Sequence, residues 1–186
     1  MKPVENTPKE TENPWYVIRT FRRERVIRDA LQEQGLHCFI PMKYRDDVGD
    51  IDETTEITDK ELKPVVRGYV FVEKTKPEGQ MREIFTSLNE PMGVTRNKET
   101  GRYYEIQAKD MRDFRMLCDP TYRDSVFITP RQAEARVGKN VTIVRGRFRG
   151  IKGKLCQIRG KYFFIKHVAG LGVMIHITRW FCRVDD

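Results

Sequence analysis

One stretch of this 186-residue chain decides the fold of its C-terminal part: residues 138–155 read GKNVTIVRGRFRGIKGKL. Apolar residues alternate on both sides of three closely spaced glycines, Gly146, Gly150 and Gly153. This spacing predicts two short strands joined by tight turns in which the glycines adopt positive φ. The stretch carries arginines and lysines but no acid. We therefore predict a small basic β-barrel, of a kind typical of proteins that act on nucleic acids.

The positive charge of the chain is concentrated in this C-terminal part. The formal net charge is +8, yet residues 136–186 contain twelve Lys or Arg and only two acids. The remaining 135 residues hold 23 basic and 25 acidic side chains. Such an asymmetry predicts two domains with different partners.

The cysteines and the apolar segments exclude several classes of protein. The four cysteines form no Cys-x-x-Cys pair, and their spacing to the three histidines matches no recurring ligand pattern. We therefore expect free thiols, no metal and no cofactor. The sequence shows no signal peptide and no apolar run long enough to cross a membrane, which predicts a cytoplasmic protein without membrane contact. We expect a monomer.

Hydrophobic periodicity in the first 118 residues predicts the order β-α-β-β-α-β. Strands are predicted over 15–20, 37–44 and 65–72, helices over 23–34, 78–88 and 107–118, and a hairpin over 92–106. This order indicates an α+β fold, a split βαβ sandwich in which helices cover one face of an antiparallel sheet. Five short strands then predict a small SH3-like all-β barrel.

The predicted domain boundaries follow from composition. Residues 1–13 form a polar lead-in, 14–118 the first domain, 119–135 a linker with two prolines, and 136–186 the barrel. Within the first domain, residues 46–61 contain eight acids and one lysine, which indicates a solvated loop. The role of this acidic loop stays open.

Nothing in the sequence predicts an enzyme, and we assign no catalytic residue. The glycine-rich turn lacks the Gly-Lys-Ser/Thr signature of a phosphate-binding loop and opens no helix. The histidines have no Ser or Cys partner at a diagnostic spacing. The acids of residues 46–61 form a solvated run instead of a paired catalytic site.

Three motifs together resemble the NusG family of transcription elongation factors. They are WYVI at residues 15–18, RGYVFV at residues 67–72, and the glycine-rich turn, which resembles the KOW motif. The resemblance covers residues 14–186 and implies an amino-terminal NGN domain followed by a KOW domain. Val66-Arg67-Gly68-Tyr69 stands where the family usually has Phe-Pro-Gly-Tyr. Together with the acidic loop and the basic barrel, this difference resembles the specialised RfaH-like and capsule-locus antiterminators.

The resemblance implies that the first domain binds the clamp helices of RNA polymerase through an apolar patch. The matching positions are Tyr16, Val66, Tyr69 and Phe71, whereas Arg82 and Thr86 match positions that contact the opposite side of the polymerase cleft. Strand alternation directs Tyr69 and Phe71 to one face of the sheet and their neighbours to the other. The sequence leaves open which of these faces is exposed.

Two basic clusters are candidate nucleic-acid or partner surfaces. The first, at the junction of the first strand and helix, comprises Arg19, Arg22, Arg23 and Arg25. The resemblance places it near the non-template DNA strand, and the alternative is a solvated helix start. The second, in the barrel turn, comprises Arg145, Arg147, Arg149 and Lys152, for which RNA, the ribosome or another protein are the candidate partners. Phe148, between these arginines, is predicted to plug the barrel core.

The sequence thus predicts a factor that binds RNA polymerase and suppresses pausing and termination, on selected operons such as polysaccharide loci. The alternative is a KOW-type RNA-binding or ribosome-associated protein without polymerase contact. Some RfaH-like relatives refold the second domain between helix and barrel. Here the strand period over residues 141–175, interrupted by glycines, predicts a permanent barrel.

Overall fold

The computed structural model describes residues 12–44, 62–122, 125–129, 131–132 and 138–185. The acidic loop predicted at 46–61 and most of the predicted lead-in lie outside the described residues. The fold class is confirmed: an α+β part with an antiparallel sheet precedes a separate all-β sheet.

The N-terminal sheet has four antiparallel strands in the order β2-β5-β1-β6. A two-stranded ribbon of β3 and β4 stands beside it. The elements of this half are β1 (Trp15–Thr20), α1 (Glu24–Glu33), β2 (Cys38–Phe39), β3 (Met42–Tyr44), β4 (Leu62–Pro64), β5 (Tyr69–Glu73), α2 (Glu78–Ser87), β6 (Met92–Val94) and α3 (Ala108–Leu117).

Helices cover both faces of this sheet, whereas the sequence predicted that helices would cover only one face. Tyr16 and Ile18 of β1 pack with α1 and α2 in one cluster of buried side chains. Val17 and Phe71 belong to a second cluster that contains α3. Because neighbouring strand residues point to opposite faces, α3 lies on the face opposite α1 and α2. Most apolar side chains of each helix face its cluster, whereas Val26 of α1 is exposed.

Two predicted strands are interrupted, and one predicted hairpin is reduced to single bridges. Pro41 separates β2 from β3 within the strand predicted over 37–44. Residues 65–68 form bends and a turn, so β5 begins only at Tyr69. The chain after β6 returns through isolated bridges, such as the one between Arg96 and Tyr103, because a five-residue turn leaves little regular pairing.

The C-terminal sheet has six antiparallel strands in the order β12-β8-β9-β10-β11-β7. We call it the C-terminal barrel, as predicted for the SH3-like part. Its strands are β7 (Ser125–Ile128), β8 (Lys139–Ile143), β9 (Lys152–Ile158), β10 (Lys161–Val168), β11 (Leu171–His176) and β12 (Cys182–Val184). Strand β7 falls inside the stretch predicted as a linker, and it pairs with β11 along the barrel edge.

The glycines of the barrel turn serve two purposes. Gly146 and Gly150 have φ of 81° and 92°, as predicted for tight turns. Gly153 instead lies in β9 without positive φ, so that part of the prediction is wrong. A Cβ atom there would collide with the ring of Phe164 and the backbone of β10. Its lack of a side chain therefore permits close packing between strands.

Buried apolar side chains of the two halves form one continuous cluster. Helix α3 contributes Met111, Phe114 and Leu117, and it contacts β10 and β11 of the barrel. The predicted plug Phe148 is buried in the same cluster and packs edge-on against Tyr122, 5.0 Å between ring centroids. No helix among the described residues is long and apolar enough to cross a membrane.

Candidate functional site

The sheet face that carries Tyr69 and Phe71 is buried. Phe71 packs against Phe39 and against Phe114 of α3, with ring centroids 6.2 Å and 5.4 Å away. Tyr69 lies in the same cluster, which continues into the barrel, and Val66 packs half-buried at its margin. Three of the four predicted patch residues therefore share one face, next to α3.

Tyr69 also organises the nearest arginine. The guanidinium of Arg19 lies 4.0 Å from the centroid of the Tyr69 ring and donates a hydrogen bond to its hydroxyl. The two residues are opposite each other in the β1–β5 register, which brings their side chains to the same face. A cation over an aromatic face is attracted by the ring quadrupole. Arg19 is thus fixed to the apolar face by stacking.

The turn before Tyr69 is held by a buried carboxylate. Glu24, at the start of α1, accepts a hydrogen bond from the backbone N–H of Gly68. Gly68 has a φ of 85°, and a Cβ atom there would lie 2.7 Å from the carbonyl oxygen of Thr20. Only glycine fits this position without displacing β1. The contact draws the 65–68 turn against the junction of β1 and α1.

This turn creates a basic corner on the protein surface. A hollow of about 390 Å³ is lined by Arg22, Arg25, Lys63, Pro64 and Arg67, with the already bonded Glu24 beneath them. Next to it, the side chain of Phe21 is 82% exposed, and the guanidinium of Arg22 lies 5.7 Å from its ring centroid. Exposed aromatic rings among arginines are typical of surfaces that bind single-stranded nucleic acids.

The four arginines predicted at this junction do not form one group. Arg22 and Arg25 line the hollow, with Arg25 also donating to the carbonyl oxygen of Leu62. Arg19 stacks on Tyr69, and Arg23 turns away to an ion pair with Glu90 at 2.9 Å. Sequence reasoning missed Phe21, Lys63 and Arg67. Phe21 could have been identified, because it is adjacent in sequence to the arginine cluster. Lys63 and Arg67 could not, because only the folded chain brings them next to Arg22 and Arg25.

The remaining predicted polymerase contacts lie on the opposite side of the sheet. Tyr16 is fully buried among α2 and Tyr103, so it supports the sheet and presents no surface. Arg82 and Thr86 are exposed on α2. Arg82 pairs with Glu78 at 3.0 Å, and the hydroxyl of Thr86 donates to the Arg82 carbonyl oxygen at 2.9 Å.

In the barrel turn, Arg147 differs from the other predicted residues because it contacts the segment after α3. It forms an ion pair with Asp119 and lies 5.6 Å from the ring centroid of Tyr122, both just after α3. Hydrogen bonds from the hydroxyl and backbone N–H of Thr121, together with the guanidinium of Arg147, lower the pKa of Asp119. Arg145, Arg149 and Lys152 stay exposed.

A second ionic contact joins the barrel to α3. Lys166 of β10 has a side chain only 8% exposed, and its Nζ atom lies 2.7 Å from Asp110 and 3.4 Å from Asp113. Lys43 of β3 also donates to the carbonyl oxygen of Ser125 in β7. These contacts and the shared apolar cluster hold the barrel against the first domain.

The thiols of the described residues are shielded. Burial raises the pKa of Cys38 to about 12, and burial also raises the pKa of Cys118 strongly. Burial also raises the pKa of the half-buried Cys182, and the positive charge of Arg179 acts against this effect. Since the thiolate is the nucleophile, the raised pKa values of these three cysteines argue against an activated thiol at their positions. The described residues also contain no cluster of acids, histidines and cysteines that could hold a metal ion.

Comparison with known proteins assigns the first domain. The family model described as transcription termination factor nusG matches residues 13–115. The chain belongs to the NusG family. The matched segment spans the N-terminal sheet and nearly all of its three helices, and it stops short of the barrel. NusG-family proteins are non-enzymatic transcription elongation or termination factors that bind RNA polymerase. No curated protein matches the chain.

Proposed function

We propose that this chain is a transcription elongation factor that binds RNA polymerase and suppresses pausing and termination on selected operons, such as those for polysaccharides. The observation that carries the proposal is the NusG-family match over the N-terminal sheet and its helices. No covalent chemistry is needed. Binding that is tighter to the elongating polymerase than to the paused one shifts the population toward elongation.

The proposed polymerase surface is the face beside α3 that bears Val66 and Tyr69. A protein interface draws most of its energy from a few apolar and aromatic anchors that exclude water. In the structure, these side chains belong to the cluster that continues into the barrel. Docking of the clamp helices on this face would therefore accompany movement of the barrel away from α3. In this proposal, Arg82 and Thr86 on the opposite side would make a second contact across the cleft.

The basic corner would then hold the exposed non-template strand. Phe21 offers a ring for base stacking, and Arg22, Arg25 and Arg67 offer planar guanidinium groups for phosphates and base edges. Arg23 contributes less in this proposal, because Glu90 already neutralises it. Selection of operons would arise here, where the polymerase presents DNA sequence.

The decisive experiment compares two charge insertions in the full chain. Val66→Glu places a carboxylate on the proposed polymerase face, and Val126→Glu places one on β7, where the valine side chain is 50% exposed. We expect Val66→Glu to abolish capture of the host RNA polymerase and Val126→Glu to leave it intact. Circular dichroism confirms that both variants fold. Equal capture by both variants would disprove the assignment of this face.

Single-round transcription tests the antitermination step. On a template that carries the leader of a polysaccharide operon, the protein should shorten pauses and raise read-through at a terminator. A template without that leader provides the control. Polymerase binding without any effect on pausing would refute the mechanism while keeping the partner.

The second candidate function is RNA binding without polymerase contact, and the exposed arginines of the barrel turn favour it. The two candidates differ in one result. If the full chain fails to capture polymerase but binds RNA, and loses the RNA when Arg145 and Arg149 become alanine, the second candidate is correct.

A further inference from the structure

The barrel exposes a tryptophan that neither the fold nor the proposed polymerase contact uses. Trp180 lies in a short 3₁₀ turn (Arg179–Phe181) between β11 and β12, and its side chain is 77% exposed. Trp15, the other tryptophan of the chain, is buried. A large aromatic side chain is rarely left this open to water without a partner.

The backbone places Trp180 against the glycine-rich turn. Strands β8 and β12 pair Ile143 with Cys182, and the Val144 N–H donates to the Phe181 carbonyl oxygen at 2.7 Å. This bond joins the residue after β8 to the last residue of the 3₁₀ turn, so Arg145 and Trp180 are the chain neighbours of a hydrogen-bonded pair. The Phe181 ring lies over Gly146, where a Cβ atom would be 3.2 Å from it. The turn and the 3₁₀ segment therefore form one continuous surface.

The charge of this surface has a single sign. Residues 144–151 and 177–183 together contain five arginines and no lysine or acid. Arg147 is engaged with Asp119 at the domain contact. Arg145, Arg149 and Arg179 are exposed on the same two segments as Trp180, and we call these three arginines and Trp180 the Trp180 surface.

We propose that the Trp180 surface binds single-stranded nucleic acid, with one base stacked on the indole and adjacent phosphates held by the three arginines. An indole offers a flat face to any base, and guanidinium groups pair with phosphate oxygens through parallel hydrogen bonds. A protein partner would have to supply several acids to match this charge. RNA that emerges from a polymerase and a separated DNA strand both offer bases and phosphates of this kind. The experiment below compares binding of the two. This site lies on the barrel, and its existence does not depend on polymerase binding.

The test uses the full chain and labelled oligonucleotides of about 12 nucleotides, a length within the range that small β-barrels cover. Fluorescence anisotropy with oligouridine and oligothymidine gives the two affinities. We expect Trp180→Ala to weaken binding about five-fold to a hundred-fold, the range of one lost base stack. Trp180→Phe should retain most of the affinity because the ring can still stack. Val126→Ala, on the far strand β7, is the matched control and should change nothing.

Two further readouts separate this surface from the basic corner. Each change of Arg145, Arg149 or Arg179 to alanine should reduce the slope of log affinity against log salt by about 0.7, as expected for one phosphate contact. The loss caused by Trp180→Ala should persist in a Phe21→Ala background. Tighter binding of oligouridine would identify RNA as the ligand, and tighter binding of oligothymidine would identify DNA.

One result would overturn the proposal. If Trp180→Ala binds both oligonucleotides as tightly as the unchanged protein, while Phe21→Ala loses them, nucleic acid belongs to the basic corner alone. Trp180 would then be an anchor for a protein. Polymerase is absent from this assay, so this failure is distinct from failure of the elongation-factor proposal.

Discussion

Replacement of Lys166 by methionine should release the barrel from α3. In the closed arrangement the Lys166 ammonium is almost fully shielded from water, and it bonds Asp110 at 2.7 Å and Asp113 at 3.4 Å. Methionine keeps the length of the side chain but removes the charge. The carboxylate of Asp113, itself largely buried, would then face an apolar side chain.

The magnitude follows from the two contacts. A hydrogen bond to a charged group contributes about 1.5–3 kcal/mol, and leaving one charge of a buried pair unmatched costs more. The side chain of Asp110 is 49% exposed, so water weakens its contribution to the attraction between Lys166 and α3. We expect closure to weaken by about 2 kcal/mol, which lowers the ratio of closed to open molecules about 30-fold.

Two-dimensional NMR of the full chain measures the result. In Lys166→Met, resonances of α3 and of β10 should move toward those of separated domains, while the barrel keeps its strand shifts. The double variant Lys166→Met with Asp113→Leu is the control, because an apolar pair of similar volume can restore closure. If the single variant stays closed, or the double variant opens equally, the ionic contact does not hold the barrel. Should the proposed polymerase face be correct, the single variant also gains polymerase affinity, by up to the same factor.

Three other outcomes follow from local geometry. Gly68→Ala should lower the free energy of unfolding, measured in urea, by about 2–3 kcal/mol, because the alanine would have a positive φ and its Cβ atom would collide with β1. Gly35→Ala is the control and should cost only about 1 kcal/mol, because Gly35 has a positive φ but open space around it. The buried Tyr16 hydroxyl makes no hydrogen bond of normal geometry among the described residues, although the positive charge of Lys74 acts on it. Tyr16→Phe should therefore change the free energy of unfolding by no more than about 1 kcal/mol, and a larger loss in urea would reveal a hydrogen bond to Lys74. At pH 8, a thiol reagent should modify Cys182 well before Cys118, because the deeper burial of Cys118 raises its pKa further. Mass spectrometry measures the two rates, and equal rates would contradict the packing.

The fold was largely predictable because its signals are local. Alternating strands, helix stripes and positive-φ glycines each depend on a few neighbouring residues, and Gly146 and Gly150 adopt the predicted turn conformation. Strand β7 was missed, because its four residues gain their order from pairing with β11, which is distant in the sequence. Gly153 was misread because the Phe164 ring that excludes a side chain there comes from another strand.

The candidate site was less predictable, because it depends on which face each side chain joins. Period-two alternation correctly grouped Tyr69 with Phe71, but it could not show that α3 covers their face. Tyr16 was grouped with them through the resemblance, although the structure places it on the opposite face. Arg67 reaches the basic corner only because Glu24 holds the Gly68 turn against α1.

The two halves of the molecule carry different kinds of surface, and this difference bears on how such a factor would work. The apolar face beside α3 is buried together with the barrel core, so its exposure has to be coupled to a partner that replaces the barrel. The basic corner and the Trp180 surface are exposed in the closed arrangement. Nucleic acid could therefore be engaged before the barrel moves, and each bound segment would raise the effective concentration of the next partner. In the mechanism we propose, the basic corner would bind the non-template strand as polymerase is captured, whereas nucleic acid bound at the Trp180 surface would hold the factor near transcripts that present that segment.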